Sequence, residues 1–252
     1  MSEINQNPTP AAEAEESHLK SLYLLGGITA LGMILVALLD IVLTFVPGGE
    51  SPAPGSGAVL EWFTLYQKNW FMGLRGLGFF NIFTISLVLV TFFALYKAHQ
   101  RVNKTYAALA LIVLCLATAI YIANNRSLPM LTLSAQYTTA STQAQKDVIV
   151  AAGMGMLAQA EDFTPGTFLG FFLSEIAGMI MSLVLLRGKI FSKLAAWICL
   201  LGYAILTVYS LCVSFTPENF NPFLLVSMIG GLLSMAGYFL IAKKLFALSR
   251  AA

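Results

Sequence analysis

The fold of this chain is decided by residues 166–204, which read GTFLGFFLSEIAGMIMSLVLLRGKIFSKLAAWICLLGYA. Two apolar runs, near residues 166–187 and 191–214, flank the short basic turn RGKIFSK. Each run is long enough to cross the hydrocarbon core of a membrane, which takes a helix of about 20 residues. The stretch therefore predicts two membrane-spanning helices joined by a tight turn on one side of the membrane.

The rest of the chain repeats this pattern. Of its 252 residues, 58% are hydrophobic and only 10% are charged, whereas soluble domains carry about 25% charged residues. The apolar runs of spanning length lie near residues 20–46, 70–97, 104–124, 166–187, 191–214 and 222–246. We therefore expect an all-α membrane protein, a monomeric six-transmembrane-helix bundle. It forms a single domain over residues 17–252, after a disordered cytoplasmic tail of residues 1–16.

The basic residues predict the orientation of the bundle. Of the fourteen Lys and Arg residues, ten lie at Lys20, in the turns after spans two and four, or near the C-terminal end. Cytoplasmic loops of membrane proteins are enriched in Lys and Arg. Both termini are therefore predicted to be cytoplasmic.

Two long connections are predicted on the outer side, at residues 47–69 and 125–165. The first carries aromatic residues that suit an interfacial helix at headgroup level: Trp62, Phe63, Tyr66 and Trp70. The second contains a predicted helix capped near Thr139 or Ser141. This helix either lies on the outer mouth of the bundle or acts as a lid over a cavity.

Several segments resemble a known family. The segments RSLPMLTLSAQYTTASTQAQ and AAGMGML, followed by the stretch quoted above, resemble an uncharacterised family of bacterial integral membrane proteins, the domain of unknown function 4386. The resemblance covers about residues 125–205, and the basic turn at residues 187–193 is its most specific piece. It implies a bacterial multi-pass protein, and hence a cytoplasmic (inner) membrane location. It supplies no activity and no catalytic residues.

Polar residues in or near the spans are the candidates for a functional site, because such residues are costly in lipid. The candidates for ligand binding or a buried polar network are Asp40, Arg75, Asn81, Glu175, Asn124, Asn125 and Arg126. At a rise of 1.5 Å per residue, Asp40 and Arg75 lie about 9 Å and 8 Å from the outer ends of spans one and two. They are predicted to pair, either as a salt bridge that clamps the two spans or as part of an ion or ligand site. A third possibility is that Arg75 extends to the outer headgroups.

Glu175 is predicted to lie near the middle of span four, with Asn81 at about the same depth in span two. An unpaired ionised carboxylate is unfavourable there, so we expect Glu175 to be protonated. It would then donate a hydrogen bond to Asn81 or to a hydroxyl of span five. A proton-relay or cation-binding role is the alternative.

The sequence offers little support for a metal site or for catalysis. The two histidines, His18 and His99, lie at the cytoplasmic boundary, and the three cysteines lie inside apolar runs. We therefore predict no metal, no haem and no other cofactor. No catalytic triad or phosphate-binding loop is present, so no enzymatic activity is predicted. The net charge of +2 without a basic stripe argues against a nucleic-acid partner.

The function predicted from these observations is non-enzymatic. The expected partners are membrane lipid and a small apolar or lipid-like ligand, bound in an outward-facing cavity under the outer segments. Two alternatives remain open. One is a proton- or ion-coupled transporter that uses Asp40 and Glu175, and the other is a structural or assembly subunit of a membrane complex.

Overall fold

Apolar runs of spanning length form helices because a membrane interior offers backbone groups no hydrogen-bond partner except one another. In the computed structural model, which describes residues 10–47, 50–52, 59–160, 166–216 and 220–251, every regular element is an α-helix. The predicted all-α fold class is therefore confirmed. The helices are α1 (Pro10–Thr44), α2 (Val59–Lys68), α3 (Trp70–Gly76), α4 (Phe79–His99), α5 (Lys104–Asn124), α6 (Ser127–Thr139), α7 (Gln143–Ala160), α8 (Phe168–Gly188), α9 (Lys193–Phe215) and α10 (Phe220–Ala251).

Six of these helical segments are long and apolar enough to cross a membrane, which confirms the predicted number of spans. They are α1, α4, α5 with its continuation α6, α8, α9 and α10. Their outer faces expose large apolar side chains, among them Leu35, Val42 and Leu225. Exposed apolar surface of this extent is typical of a face that contacts lipid.

The first helix begins earlier than expected. The sequence favoured disorder up to residue 16, but α1 begins at Pro10, so residues 10–16 are helical. The reason is local, because Pro suits the first turn of a helix and the following Ala and Glu residues are strong helix formers. Glu16 and Lys20 add an ion pair of 2.7 Å one turn apart. The rest of the predicted tail, residues 1–9, lies outside the described residues.

The second predicted span, residues 70–97, is in fact two helices. The chain breaks between α3 and α4 at Gly78, whose φ of 72° is a left-handed conformation that glycine adopts without strain. The membrane-spanning part therefore begins at Phe79. As a consequence, Arg75 precedes the span, and Asn81 lies in its first turn rather than deep inside it.

The six spans form a closed ring. Each of α1, α4, α5, α8, α9 and α10 packs against the next in this order, and α10 packs against α1. Neighbouring helices are in close contact. Between α1 and α4, for example, the hydroxyl oxygens of Thr29 and Thr91 lie 3.0 Å apart. Because α5 packs between α4 and α8, spans two and four are separated by span three around the ring.

Helices α2, α3 and α7, together with α6 at the end of the third span, form a second unit that we call the cap. It has its own apolar core, and it meets the ring where α3 contacts α4 and where α5 continues into α6. Trp62, Phe63 and Tyr66 are buried in this core, and only Trp70 of the four predicted headgroup anchors is exposed. The interfacial position predicted for the first three is therefore wrong, since they pack against protein.

The second outer connection contains one helix more than predicted. The expected helix is present as α7, and its cap is Thr142, whose hydroxyl accepts from the backbone N–H of Gln145 at 3.2 Å. The additional helix α6 precedes it, and α7 packs against α6 and α2. The end of the ring opposite the cap, which we call the basic end, holds both short basic turns, the start of α1 and the end of α10.

Candidate ligand-binding cavity

The centre of the ring contains a cavity of about 220 Å³, lined by residues of all six spans. One lining residue from each span, in chain order, is Met33, Asn81, Tyr121, Glu175, Leu206 and Gly231. Most of the lining is apolar. Among the described residues that line it, Glu175 is the only acid, and none is Lys, Arg or His. The cavity therefore combines an apolar wall with a single carboxyl group.

Glu175 is positioned by the packing of α8 between α5 and α9. It lies seven residues after the first residue of α8, which places it about 10 Å from the cap end of that helix. Only 6% of its surface is exposed. Its Oε1 accepts a hydrogen bond of 2.6 Å from the hydroxyl of Ser210 on α9. Among the described residues, its Oε2 has no hydrogen-bond partner.

A polar stripe on α9 faces this carboxyl. Tyr203, Thr207 and Ser210 recur at the three- and four-residue spacing that places side chains on one face of a helix. The Thr207 hydroxyl lies beside Glu175, but it donates its proton to the Tyr203 carbonyl at 2.8 Å. Ser210 is therefore the hydroxyl donor to the carboxyl.

Two tyrosines form the floor of the cavity, on the side of the basic end. The hydroxyl oxygens of Tyr203 on α9 and Tyr238 on α10 are 2.6 Å apart, and both side chains are buried. The Tyr203 ring lies directly on Gly178 of α8, where no side chain fits. The small residue at Gly178 thus lets α8 and α9 approach closely beneath Glu175.

The cap-side rim is held by backbone contacts at the two helix breaks. The Tyr121 hydroxyl donates to the Gly78 carbonyl at 3.1 Å, and its ring meets that of Phe171 edge to face at 5.2 Å. The Asn125 amide donates to the carbonyls of Leu77 and Gly78 at 3.0 Å and 3.3 Å. These bonds tie the break between α3 and α4 to the break between α5 and α6.

Asp40 and Arg75 form the predicted ion pair, with 2.9 Å between Arg75 Nε and Asp40 Oδ1. The Arg75 side chain is 9% exposed and that of Asp40 is 37% exposed. Arg75 also donates to the hydroxyl of Thr44. The predicted pairing is confirmed, but it joins α1 to α3 of the cap rather than two spans. Neither residue lines the cavity.

The remaining candidates hold the cap. The Asn124 amide donates to the Gly166 carbonyl at 3.5 Å. The Asn125 Oδ1 accepts from the backbone and the hydroxyl of Ser127 at 3.1 Å and 2.6 Å. Arg126 donates from Nε and Nη2 to the Gln159 side chain at 3.3 Å and 3.1 Å, which connects α7 to the start of α6.

The structure therefore divides the predicted polar set. Asn81 and Glu175 line the cavity, whereas Asp40, Arg75, Asn124, Asn125 and Arg126 connect the ring and the cap. The carboxyl partner seen here is Ser210, a hydroxyl of span five as predicted, but Ser210 donates to the carboxyl, whereas Glu175 was predicted to be the donor. Residues of the site that sequence reasoning missed are Ser210, Tyr121, Ser234 and Tyr238. The stripe on α9 is a signal that could have identified Ser210.

Comparison with known proteins identifies one family. A domain of unknown function, DUF4386, matches residues 71–242, which include four of the six spans in full, most of the last span and most of the residues that line the cavity. No curated protein and no solved structure matches the chain. Because the match covers well over half of the sequence, the chain belongs to the DUF4386 family of uncharacterised proteins.

Proposed function

We propose that this protein is a non-enzymatic membrane protein that binds a small, mostly apolar molecule in the central cavity. The observation that carries the proposal is the cavity itself, which is lined by residues of all six spans and contains one buried carboxyl group. Ligand sites are typically apolar with a few polar groups that orient the ligand. This cavity has that composition.

The volume limits the size of the ligand. An apolar cavity of about 150 Å³ accommodates benzene, so by the same ratio a cavity of about 220 Å³ suits a molecule of about nine non-hydrogen atoms. A whole phospholipid is much larger. Of the lipid-like ligands expected from the sequence, only small ones are therefore retained in the proposal.

The proposal includes an orientation. The basic end holds ten of the fourteen Lys and Arg residues, so by the positive-inside rule it faces the cytoplasm of a bacterial inner membrane. The cap then faces outward, and the cavity lies in the outer half of the ring. The orientation is tested with a reporter enzyme that is active only outside the cytoplasm. The reporter is fused after Ala251 in one protein and inserted between Ala140 and Ser141 in another. Activity at the first position would contradict the orientation.

A proton- or ion-coupled transporter is the second candidate. It is favoured by the Glu175 Oε2, which lacks a partner among the described residues although the side chain is buried. The transporter predicted from the sequence used Asp40 as well as Glu175. The Asp40 carboxyl is paired with Arg75 outside the cavity, so the transporter proposal now depends on Glu175. Proton flux into proteoliposomes that Glu175→Gln abolishes would favour it over simple binding.

The binding proposal is tested by filling the cavity. A Cβ at Gly231 meets no atom within 4 Å, and Gly231 lines the cavity. Gly231→Leu therefore places a side chain in the ligand space without a backbone clash. Gly155→Leu is the matched control, because its Cβ also meets nothing within 4 Å, but it lies on α7 in the cap.

The probe is 2-phenylethanol, a neutral aromatic alcohol of about nine non-hydrogen atoms, which fits the size limit. Its binding to purified protein in detergent is measured by saturation-transfer NMR. We expect binding to the wild type and to Gly155→Leu, and a loss of at least about tenfold in Gly231→Leu. Equal signals from all three proteins would show partition into detergent and would contradict the proposal.

A further inference from the structure

We propose that the ligand of the central cavity is a small amine, whose ammonium group pairs with the Glu175 carboxylate while its apolar body lies against the aromatic wall. This inference rests on the proposed binding function and narrows it to one chemical class. It follows from the charge of the cavity, its hydrogen bonding and the composition of its wall.

Charge favours a cation. Among the described residues that line the cavity, Glu175 is the only one with a full charge when ionised, and no basic side chain is present to neutralise it. Arg75, one of the two basic candidates of the sequence, lies outside the cavity lining and contacts Asp40 and Thr44 instead. A buried charge requires a partner of opposite sign. An anionic ligand would instead add a second negative charge to the same apolar space.

Hydrogen bonding requires a donor on the ligand. The Glu175 Oε1 already accepts from Ser210, and the Oε2 has no partner among the described residues. An ionised carboxylate accepts hydrogen bonds and donates none. The ligand must therefore bring an N–H or O–H group. An ammonium N–H gives a charge-assisted bond, about twice as strong as one from a neutral donor.

The wall suits an organic cation better than a metal ion. The rings of Tyr121, Phe171 and Tyr203 line the cavity, and aromatic faces attract ammonium groups. Met33 and Met235 add flexible apolar surface that adapts to the body of a ligand. Calcium and magnesium ions instead require about six or more oxygen ligands, and Glu175 is the only carboxylate among the described lining residues.

The proton balance closes in either direction. Because Glu175 is predicted to be protonated without ligand, a ligand that enters as an ammonium ion pairs with the Glu175 carboxylate after the carboxyl proton has passed to water. One that enters as the free amine takes the carboxyl proton. The final state is the same pair, one ammonium and one carboxylate, and no further reactant is required.

The experiment compares three molecules of similar size and shape: 2-phenylethylamine, 2-phenylethanol and phenylacetate. Their dissociation constants are measured at neutral pH on purified full-length protein in detergent. We expect the amine to bind at least about tenfold more tightly than the alcohol, and phenylacetate to bind more weakly than both. Glu175→Gln should weaken only the amine, since Gln keeps the shape and can still accept from Ser210. Asp147→Asn, which removes an exposed carboxylate of the cap, is the matched control and should change none of the three.

Each outcome separates the two proposals. If the wild type binds amine and alcohol equally, or prefers phenylacetate, the inference fails while the binding function stands. If it binds none of the three, the binding function itself fails. An amine preference that persists in Glu175→Gln also contradicts the inference. Should Glu175→Gln not fold, the wild-type comparison still decides, because the amine preference must also disappear when Gly231→Leu fills the cavity.

Discussion

The hydroxyl oxygens of Tyr203 and Tyr238 lie 2.6 Å apart across the interface between α9 and α10. Both side chains are buried, so each hydroxyl depends on the other for its hydrogen bond. A buried polar group that loses its only partner costs more than a bond removed together with both partners. Comparing the loss of one hydroxyl with the loss of both therefore tests whether these two side chains pair at the floor of the cavity.

Removing one hydroxyl should destabilise the protein more than removing both. We expect Tyr238→Phe to lower the free energy of unfolding by about 1–3 kcal/mol, because the Tyr203 hydroxyl is left unpaired. The double variant Tyr203→Phe/Tyr238→Phe should recover part of this loss. Denaturant titration in detergent measures all three variants. Strictly additive losses would show that the two hydroxyls do not depend on each other.

A side chain at Gly178 should separate α8 from α9. The Tyr203 ring occupies the space that a Cβ would need, so Gly178→Ala should lower the free energy of unfolding by about 1–3 kcal/mol through overpacking. Gly231→Ala is the control, since its Cβ meets no atom within 4 Å. It should leave stability unchanged or raise it, because Ala favours helix more than Gly. Thermal unfolding that ranks the two variants in the opposite order would contradict the close contact.

The Asp40–Arg75 pair should couple the ring to the cap more strongly than a surface pair would. A double-mutant cycle of Asp40→Asn and Arg75→Met measures the coupling, which we expect to be about 1–3 kcal/mol because the Arg75 side chain is 9% exposed. The control cycle uses Glu16 and Lys20, whose side chains are 54% and 43% exposed. Its coupling should stay below about 0.5 kcal/mol. Equal couplings would mean that this partly buried pair contributes no more than an exposed one.

The protonation of Glu175 stays a prediction, and infrared spectroscopy tests it. In protein without ligand at pH 7, Glu175→Gln should remove the band of a protonated carboxyl, whereas Asp40→Asn should remove a carboxylate band, because Asp40 is paired with Arg75. A carboxylate band lost in Glu175→Gln would mean that the acid is ionised.

A stability measurement separates the hydrogen bond of Glu175 from its charge. Glu175→Gln should leave the free energy of unfolding nearly unchanged, because the amide oxygen replaces Oε1 as acceptor. Glu175→Leu should cost about 1–3 kcal/mol, since the Ser210 hydroxyl then loses its partner. Denaturant titration compares the two. Equal losses would show that the bond to Ser210 contributes little.

The spans could be predicted because length and apolar character alone identify them. The break at Gly78 was missed because glycine is common inside membrane helices, and only its left-handed backbone ends α3 here. Because span two was predicted to begin at residue 70, the depth of Asn81 in the membrane was overestimated. The Asp40–Arg75 pair was nevertheless predicted, because α3 continues on from the end of span two and keeps Arg75 near Asp40.

The ring order and the cavity could not be predicted in this way. Six apolar helices of similar length fit many arrangements, and which ones become neighbours depends on local shape. Gly26 fits against Ala94 between α1 and α4, as Gly178 fits under Tyr203 between α8 and α9. Such fits involve pairs of residues far apart in the chain. The sequence shows where the small residues are, but it does not show which residue of another helix packs against each of them.

Closure of the ring by α10 has a consequence for how the protein is made. The last helix packs between α9 and α1 and supplies one wall of the cavity, including Gly231 and Tyr238. During synthesis, the first five spans enter the membrane before that wall exists, and Glu175 then faces an open groove. Insertion of α10 adds the last wall to this groove. A chain that stops before residue 220 therefore lacks α10, and its Glu175 faces a groove that is open on the side that α10 otherwise covers.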